Sequence, residues 1–414
     1  MGRNRERGGF QKFILMTLLR GGPMSLKELE EKAAVFVLHF PFQQDRGSGG
    51  VIDVAAECLG LVEGGAVRLT DAGGYALTEA GKAEAEDAAR EMEKAGRTIE
   101  SQFLSPTAAT RNTAVADFFL AAIKLVAGAL SGSVALVADG TDAAIDTASA
   151  CVVWAGMKAG RELAGAFIII LMMFATAATI GYESAAKVFE AVTASASPVL
   201  MPYLVIGVEA LALVAASVLH YYQRFVGRRS GSLALISQSV DSKNHIYIAG
   251  AVILGAVFSI LGLHFVDALI GGAVALKIAV DGFGLAGEAL HSMRGEEADL
   301  SKYGLPFEKR WQLGKLESFR GWILYSIREG GPRTRGEIVA SLEETYAREY
   351  LPILSELKLG LGKGYDFEAG FGSLMEPLLG GGLLVQKEDR FVLTDRGRQS
   401  VSSLFRSIRH RRST

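Results

Sequence analysis

Between about residues 112 and 290 the chain is almost continuously apolar, broken at intervals that predict six long helices at about 113–131, 134–157, 163–189, 200–224, 232–262 and 264–290. Each comes near the ~20 residues that an α-helix needs to cross a bilayer. The flanks are patterned differently. Phe13, Ile14, Leu18 and Leu19 recur at helical spacing, Gly21-Gly22-Pro23 ends that helix, and Ser25 with Glu28 opens a second in capping-box register. A third helix is expected at Gly49 to Gly60, then two short alternating segments around Gly73-Gly74 and a polar helix after Leu77-Thr78-Glu79-Ala80-Gly81. The C-terminal flank repeats this plan. FRGWILYSIREGGPRTRGEIVASLEE from Phe319 matches FQKFILMTLLRGGPMSLKELEEK from Phe10, and RFVLTDRGRQSVSSLF from Arg390 echoes YALTEAGKAEAEDA from Tyr75. One module is therefore duplicated at the two ends. The organisation expected is an N-terminal module over 1–110, a six-span membrane domain over 111–295, and a C-terminal module over 296–414.

Composition agrees with an oily middle and charged ends: 414 residues, 50% of them hydrophobic, with mean hydropathy +0.26. A net charge of -2 gives no footprint of a nucleic-acid partner. Cys58 and Cys151 are isolated and support neither a disulfide framework nor a cysteine zinc site. About 110 mostly polar residues precede the first span, so no cleavable leader is expected. Lys158 and Arg161 follow the second span and Arg224, Arg228 and Arg229 the fourth, while the turns around Ser131 to Ser133 and Gly262 to His264 carry no Lys or Arg. By the positive-inside rule, both ends of an even-spanned chain then lie in the cytoplasm.

The candidate chemistry lies in two look-alike stretches. Gly132 to Asp146 reads GSVALVADGTDAAID, and Gly231 to His245 reads GSLALISQSVDSKNH. Each ends in a pair of metal-capable residues four apart, Asp142 with Asp146 and Asp241 with His245. On a helix, i and i+4 share a face, so each pair can present two donor atoms to one ion, and two such helices side by side would present four. An aspartate at the centre of a spanning helix costs about 2.5–3.5 kcal/mol on insertion scales and is rarely accidental. Three carboxylates and an imidazole suit tetrahedral Zn²⁺, and oxygen-rich ligation also accepts Fe²⁺ and Mn²⁺. Zn²⁺ or Fe²⁺ is favoured, with Mn²⁺ next.

The flanking modules resemble winged-helix proteins over about 90 residues each, an α+β fold whose third helix normally enters the DNA major groove. Here that helix carries only Asp53 and Glu57 in the first copy, and only Glu376 in the second, expected at Phe371 to Leu379. Phosphate contacts need Lys or Arg, so nucleic acid is disfavoured against dimerisation or partner docking. The basic tails, Arg3/Arg5/Arg7 and Arg406/Arg409/Arg411/Arg412, read as solvated or as contacts to anionic membrane lipid.

The membrane part resembles the cation diffusion facilitator family over about 180 residues. The likeness is carried by Asn112 and Lys124 in NTAVADFFLAAIKLVAGALSGSVALVADG, by Asp142-x-x-x-Asp146, by GRRSGSLALISQSVDSKNH, and by Asp267 opening the sixth span. The resemblance implies a mainly α membrane protein with a six-helix bundle, a homodimer, and proton-coupled antiport of a divalent metal out of the cytoplasm, with no resident cofactor. Two features depart from the family pattern. A winged-helix-like module stands where members carry a ferredoxin-like metal-binding domain, and the loop from Met157 to Ala164 lacks the His or Asp of an accessory site.

Asp139 and Gln238, each three residues before a motif, read either as residues that orient the ligands or as packing contacts. Lys243 and Asn244 are expected off the metal face, His220 and His264 at the interface, and Met172-Met173 in packing. Glu183, Glu209 and Lys277 are expected to pair between helices or to snorkel. A second reading is a membrane-tethered metal sensor that reports through its winged helices without transport. No nucleophile–base constellation or phosphate loop supports an enzyme.

Overall fold

The computed structural model describes residues 8–39, 53–131, 134–193, 202–261, 265–296, 299–347, 357, 362 and 364–404. Residues 1–100 and 307–414 form one compact unit, and residues 101–306 another. The Arg-rich tails, His264 and the turns around Gly132 and Gly262 lie outside the described residues, as does the side chain of Asp267.

The first unit contains α1 (Gly9–Gly21), α2 (Leu26–His39), α3 (Val54–Glu63), β1 (Val67–Leu69), β2 (Tyr75–Leu77) and α4 (Glu79–Ile99). After the long helices α5 (Pro106–Ser131), α6 (Val134–Lys158), α7 (Glu162–Thr193), α8 (Pro202–Ser230), α9 (Leu233–Ile260) and α10 (Phe265–Met293), the same order returns. It runs α11 (Pro306–Gly330), β3 (Arg333–Thr334), α12 (Arg335–Ala347), α13 (Phe367–Gly380), β4 (Leu384–Lys387), β5 (Arg390–Leu393) and α14 (Asp395–Leu404). β1 and β2 pair antiparallel, with Met24 bridged to Tyr75. In the second copy the bridge widens into β3, giving the order β3-β5-β4.

The duplication extends to single hydrogen bonds. The Ser25 backbone N–H donates to Glu28 Oε2 at 2.7 Å and that of Thr334 to Glu337 Oε2 at 2.8 Å, and each hydroxyl accepts the return bond at 3.3 Å. These backbone bonds hold both carboxyls below their ordinary range. Gly22 and Gly331, which end the preceding helices, take φ of 77° and 78°. Thr78 Oγ1 donates to the Gly65 carbonyl at 2.7 Å and accepts from the Gly81 N–H at 3.0 Å; Thr394 does the same with Gly382 and Gly397 at 2.7 and 3.0 Å.

A Cβ on Gly81 or Gly397 would overlap the carbonyl oxygen of Ala66 or Leu383. Either glycine changed to alanine is therefore expected to cost about 1–3 kcal/mol, because backbone must move. Gly372→Ala, whose Cβ would meet nothing, is the control in the same thermal-unfolding measurement.

Phe13 to Leu18 of α1 are buried without interruption, as are Gly321 to Ile327 of α11. A helix apolar all round must be covered on every side, and one continuous core holds Ile14, Leu15, Leu61, Phe319, Ile323, Leu342 and Leu374. The third helices begin at Val54 and Phe367, capped by Asp53 and Asp366. Neither VAAECLGLVE nor FEAGFGSLMEPLLG contains Lys or Arg.

The second unit is the six helices α5 to α10, a mainly α membrane domain. Among the described residues, four segments are long and apolar enough to span a bilayer: Pro106–Leu130, Glu162–Ala186, Pro202–Ser230 and Leu269–Met293. The two helices outside that set, α6 and α9, are those carrying the paired motifs. α5 packs on α6, α8 on α9 and α10 on α7. Gly140 lets α6 approach the Leu125 backbone of α5, and Gly227 lets α8 approach Ile236 of α9, the small-residue contacts that stand in for hydrophobic driving force in lipid. The Tyr222 hydroxyl donates to the Phe103 carbonyl at 2.6 Å, and Arg224 and Arg228 donate to the carbonyls of Tyr303 and Leu300 at 2.5 and 2.9 Å. The segments before α5 and after α10 therefore meet on one side of the bundle, at the C-terminal end of α8.

Candidate metal centre

α6 and α9 bring three of the four motif side chains together. His245 Nε2 lies 3.3 Å from Asp146 Oδ2 across the helix pair and 3.8 Å from Asp241 Oδ2 one turn back on its own helix. His245 is 37% exposed and Asp146 18%, and both open into a cavity of about 70 Å³. That is room for a small ion with a water or two, at ~30 Å³ per water. Asp142, one turn before Asp146, is exposed on α6 and forms no ion pair with His245. Among the described residues, no three His, Cys, Asp or Glu side chains are gathered closely enough to hold an ion as they stand. The donor set has the chemistry for Zn²⁺ or Fe²⁺, and Asp142 would have to move in to complete it.

Several residues around the motifs have partners of their own. Asp139 pairs with Lys124 Nζ of α5 at 2.5 Å, and the same ammonium lies 3.2 Å from Glu209 Oε1 of α8. Asp139 thus touches a lysine, not a proposed ligand. Gln238 is buried on the cavity wall, and its Oε1 accepts no hydrogen bond. Lys243 turns off the metal face to Asp281 of α10 at 3.5 Å, where Lys277 also pairs at 2.5 Å. Asn244 is buried with neither carboxamide atom hydrogen-bonded. His220 is 7% exposed, with Nδ1 2.6 Å from the Ser239 carbonyl of α9. Met173 is buried in the core, while Met172 lines the cavity.

Asp117 of α5 also lines the cavity, opposite Asp146, Asp241 and His245, and was not singled out from the sequence. The available signal is the 4-3-4 spacing of Thr113, Asp117, Leu120 and Lys124, which sets three polar residues on one face of an otherwise apolar helix. A chain of hydrogen bonds also escaped notice: Ser242 Oγ donates to Gln223 Oε1 at 2.8 Å and Gln223 Nε2 to Thr113 Oγ1 at 3.0 Å, tying α9, α8 and α5 beside the site.

Ionisable donors on two facing helices of a membrane bundle line one small cavity whose remaining wall is largely apolar, an arrangement suited to a cation. Residues 113–293 match the family model described as the cation efflux transmembrane domain, and the chain is an integral membrane protein whose membrane part is similar to cation efflux proteins. It is similar to the magnetosome protein MamB of Magnetospira sp. (strain QH-2), with 29% identity over 185 residues, covering 41% of this chain and 61% of that protein. It is also similar to an uncharacterized transporter of Methanocaldococcus jannaschii, with 24% identity, covering 40% and 62% of the two chains. MamB of Magnetospirillum gryphiswaldense is 23% identical, covering 44% and 65%. The chain thus spans about three-fifths of the length of these relatives.

Proposed function

We propose that this protein exports a divalent metal cation, Zn²⁺ or Fe²⁺ with Mn²⁺ also accepted, in exchange for protons. Asp142, Asp146, Asp241 and His245 are the ligands. The approach of His245 to Asp146 across α6 and α9 carries this reading, because those two side chains come from separate motifs and face one cavity. The ion enters between them and draws Asp142 in from its exposed position. Metal ligands must shed their protons to bind, so metal and proton compete for the same atoms, and alternate opening of the cavity to the two sides turns that competition into exchange. Both termini lie in the cytoplasm, the protein works as a homodimer, and the flanking winged-helix modules serve protein contacts. Helices α3 and α13, without a basic residue, favour that role over nucleic-acid binding.

In proteoliposomes enclosing a pH-sensitive dye, a Zn²⁺ gradient is expected to drive metal uptake with proton counterflow. Saturable metal binding without flux of either species would leave a membrane-tethered sensor instead.

A further inference from the structure

We propose that Lys124, Asp139 and Glu209 form a proton-binding site separate from the metal ligands, whose proton leaves when a divalent cation enters the adjoining cavity. This rests on the metal-binding reading above for its second half only.

The three groups come from α5, α6 and α8 and meet inside the bundle. The Lys124 side chain is 9% exposed and that of Glu209 is 1% exposed. Lys124 Nζ lies 2.5 Å from Asp139 Oδ2 and 3.2 and 3.4 Å from the two Glu209 oxygens. Both carboxyls thus face one ammonium. One ammonium against two carboxylates leaves a buried negative charge unbalanced, and a low-dielectric interior does not tolerate one, so one carboxyl carries a proton. Glu209 Oε1, though near Nζ, accepts no hydrogen bond, so this carboxyl has an oxygen in hand for the proton.

The surroundings connect the site to metal. Lys124 lines the same cavity as Asp146, Asp241 and His245, and Asp139 lies two turns before Asp146 on α6. The titratable and charged groups on the helices around Glu209 are Arg111, Asp117 and Lys124 from α5, Asp139, Asp142, Asp146 and Lys158 from α6, and Asp241, Lys243 and His245 from α9, with Lys243 engaged by Asp281. A doubly charged cation among them makes a second carboxylate tolerable. The Glu209 O–H bond then breaks, its electron pair stays on the carboxylate, and the proton passes to cavity water.

The test is Zn²⁺ titration calorimetry of the detergent-solubilised full chain in buffers of different ionisation enthalpy, which counts protons released per metal. Glu209→Gln is expected to release about one proton fewer than the wild type, and Glu209→Asp to restore it. Equal release by wild type and Glu209→Gln overturns the proposal. Should Glu209→Gln fail to fold, Asp139→Asn is read by the same criterion. If the wild type binds no Zn²⁺, the transport reading fails by itself, and infrared spectroscopy decides the proton site. A protonated-carboxyl band that vanishes as pH rises, and is missing in Glu209→Gln, supports the site; no such band in the wild type removes it.

Discussion

Asp146→Ala is expected to abolish measurable Zn²⁺ binding at neutral pH while leaving the protein folded in the membrane. Asp146 is the only motif carboxylate of α6 that reaches His245, so its loss leaves α9 without a partner across the cavity. Residues that merely orient metal ligands typically contribute 10–100-fold, roughly, to affinity, and a direct ligand should exceed that. His245→Ala and Asp241→Ala should match it, and Asp142→Ala should fall short of it if the exposed carboxylate joins only after the others have engaged. Binding read by calorimetry, with thermal unfolding as the folding control, checks the series. Near-normal Zn²⁺ affinity in Asp146→Ala would remove the α6–α9 site altogether.

Lys124→Met should be the most destabilising single change in the membrane unit. Breaking a buried ion pair by removing one partner costs about 3–5 kcal/mol, because the remaining charge is stranded. Lys124 is the shared counter-charge of Asp139 and Glu209. Adding Asp139→Asn to Lys124→Met should recover much of the loss, and mild acid should also recover part of it by neutralising the stranded carboxylate. Unfolding in detergent across pH reads both effects. Indistinguishable melting of Lys124→Met and the wild type would show the triad to be solvated.

The long helices were legible because a bilayer imposes one length and one composition on whatever crosses it. α6, α9 and α10 accordingly begin and end within three residues of the apolar runs, while α5 starts seven residues earlier and α8 ends six later, both over more polar sequence. The likeness of GSVALVADGTDAAID to GSLALISQSVDSKNH located α6 and α9 as a pair, since a face of donors recurring at the same spacing is visible along the chain. Partnerships between helices left no such trace. Nothing in the order of residues tells that Lys124 of α5 meets Glu209 of α8, 85 positions away, or that His220 turns inward to a carbonyl of α9. Asp117 is inconspicuous because it stands beside Phe118 and Phe119, and its polar companions at helical spacing, Thr113 and Lys124, are not a second metal-capable acid or histidine. Asp142 and Asp146 look equivalent in sequence, yet the helix presents only the second to His245. The modules at the two ends showed their kinship through Gly-Gly-Pro and the Leu-Thr-acid pair, while their shared core depends on which faces meet in three dimensions.

That shared core also bears on biosynthesis. The segment carrying Ile14 and Leu15 is made before the membrane domain, and the segment carrying Phe319 and Ile323 after it. Until that later segment arrives, the earlier one lacks Phe319, Ile323, Leu342 and Leu374, which complete its core. Nascent chains in that condition are prone to aggregate or to recruit chaperones. A polypeptide cut short after α10 would consequently sit in the membrane with an adhesive, half-covered module at one end instead of being a lighter working protein.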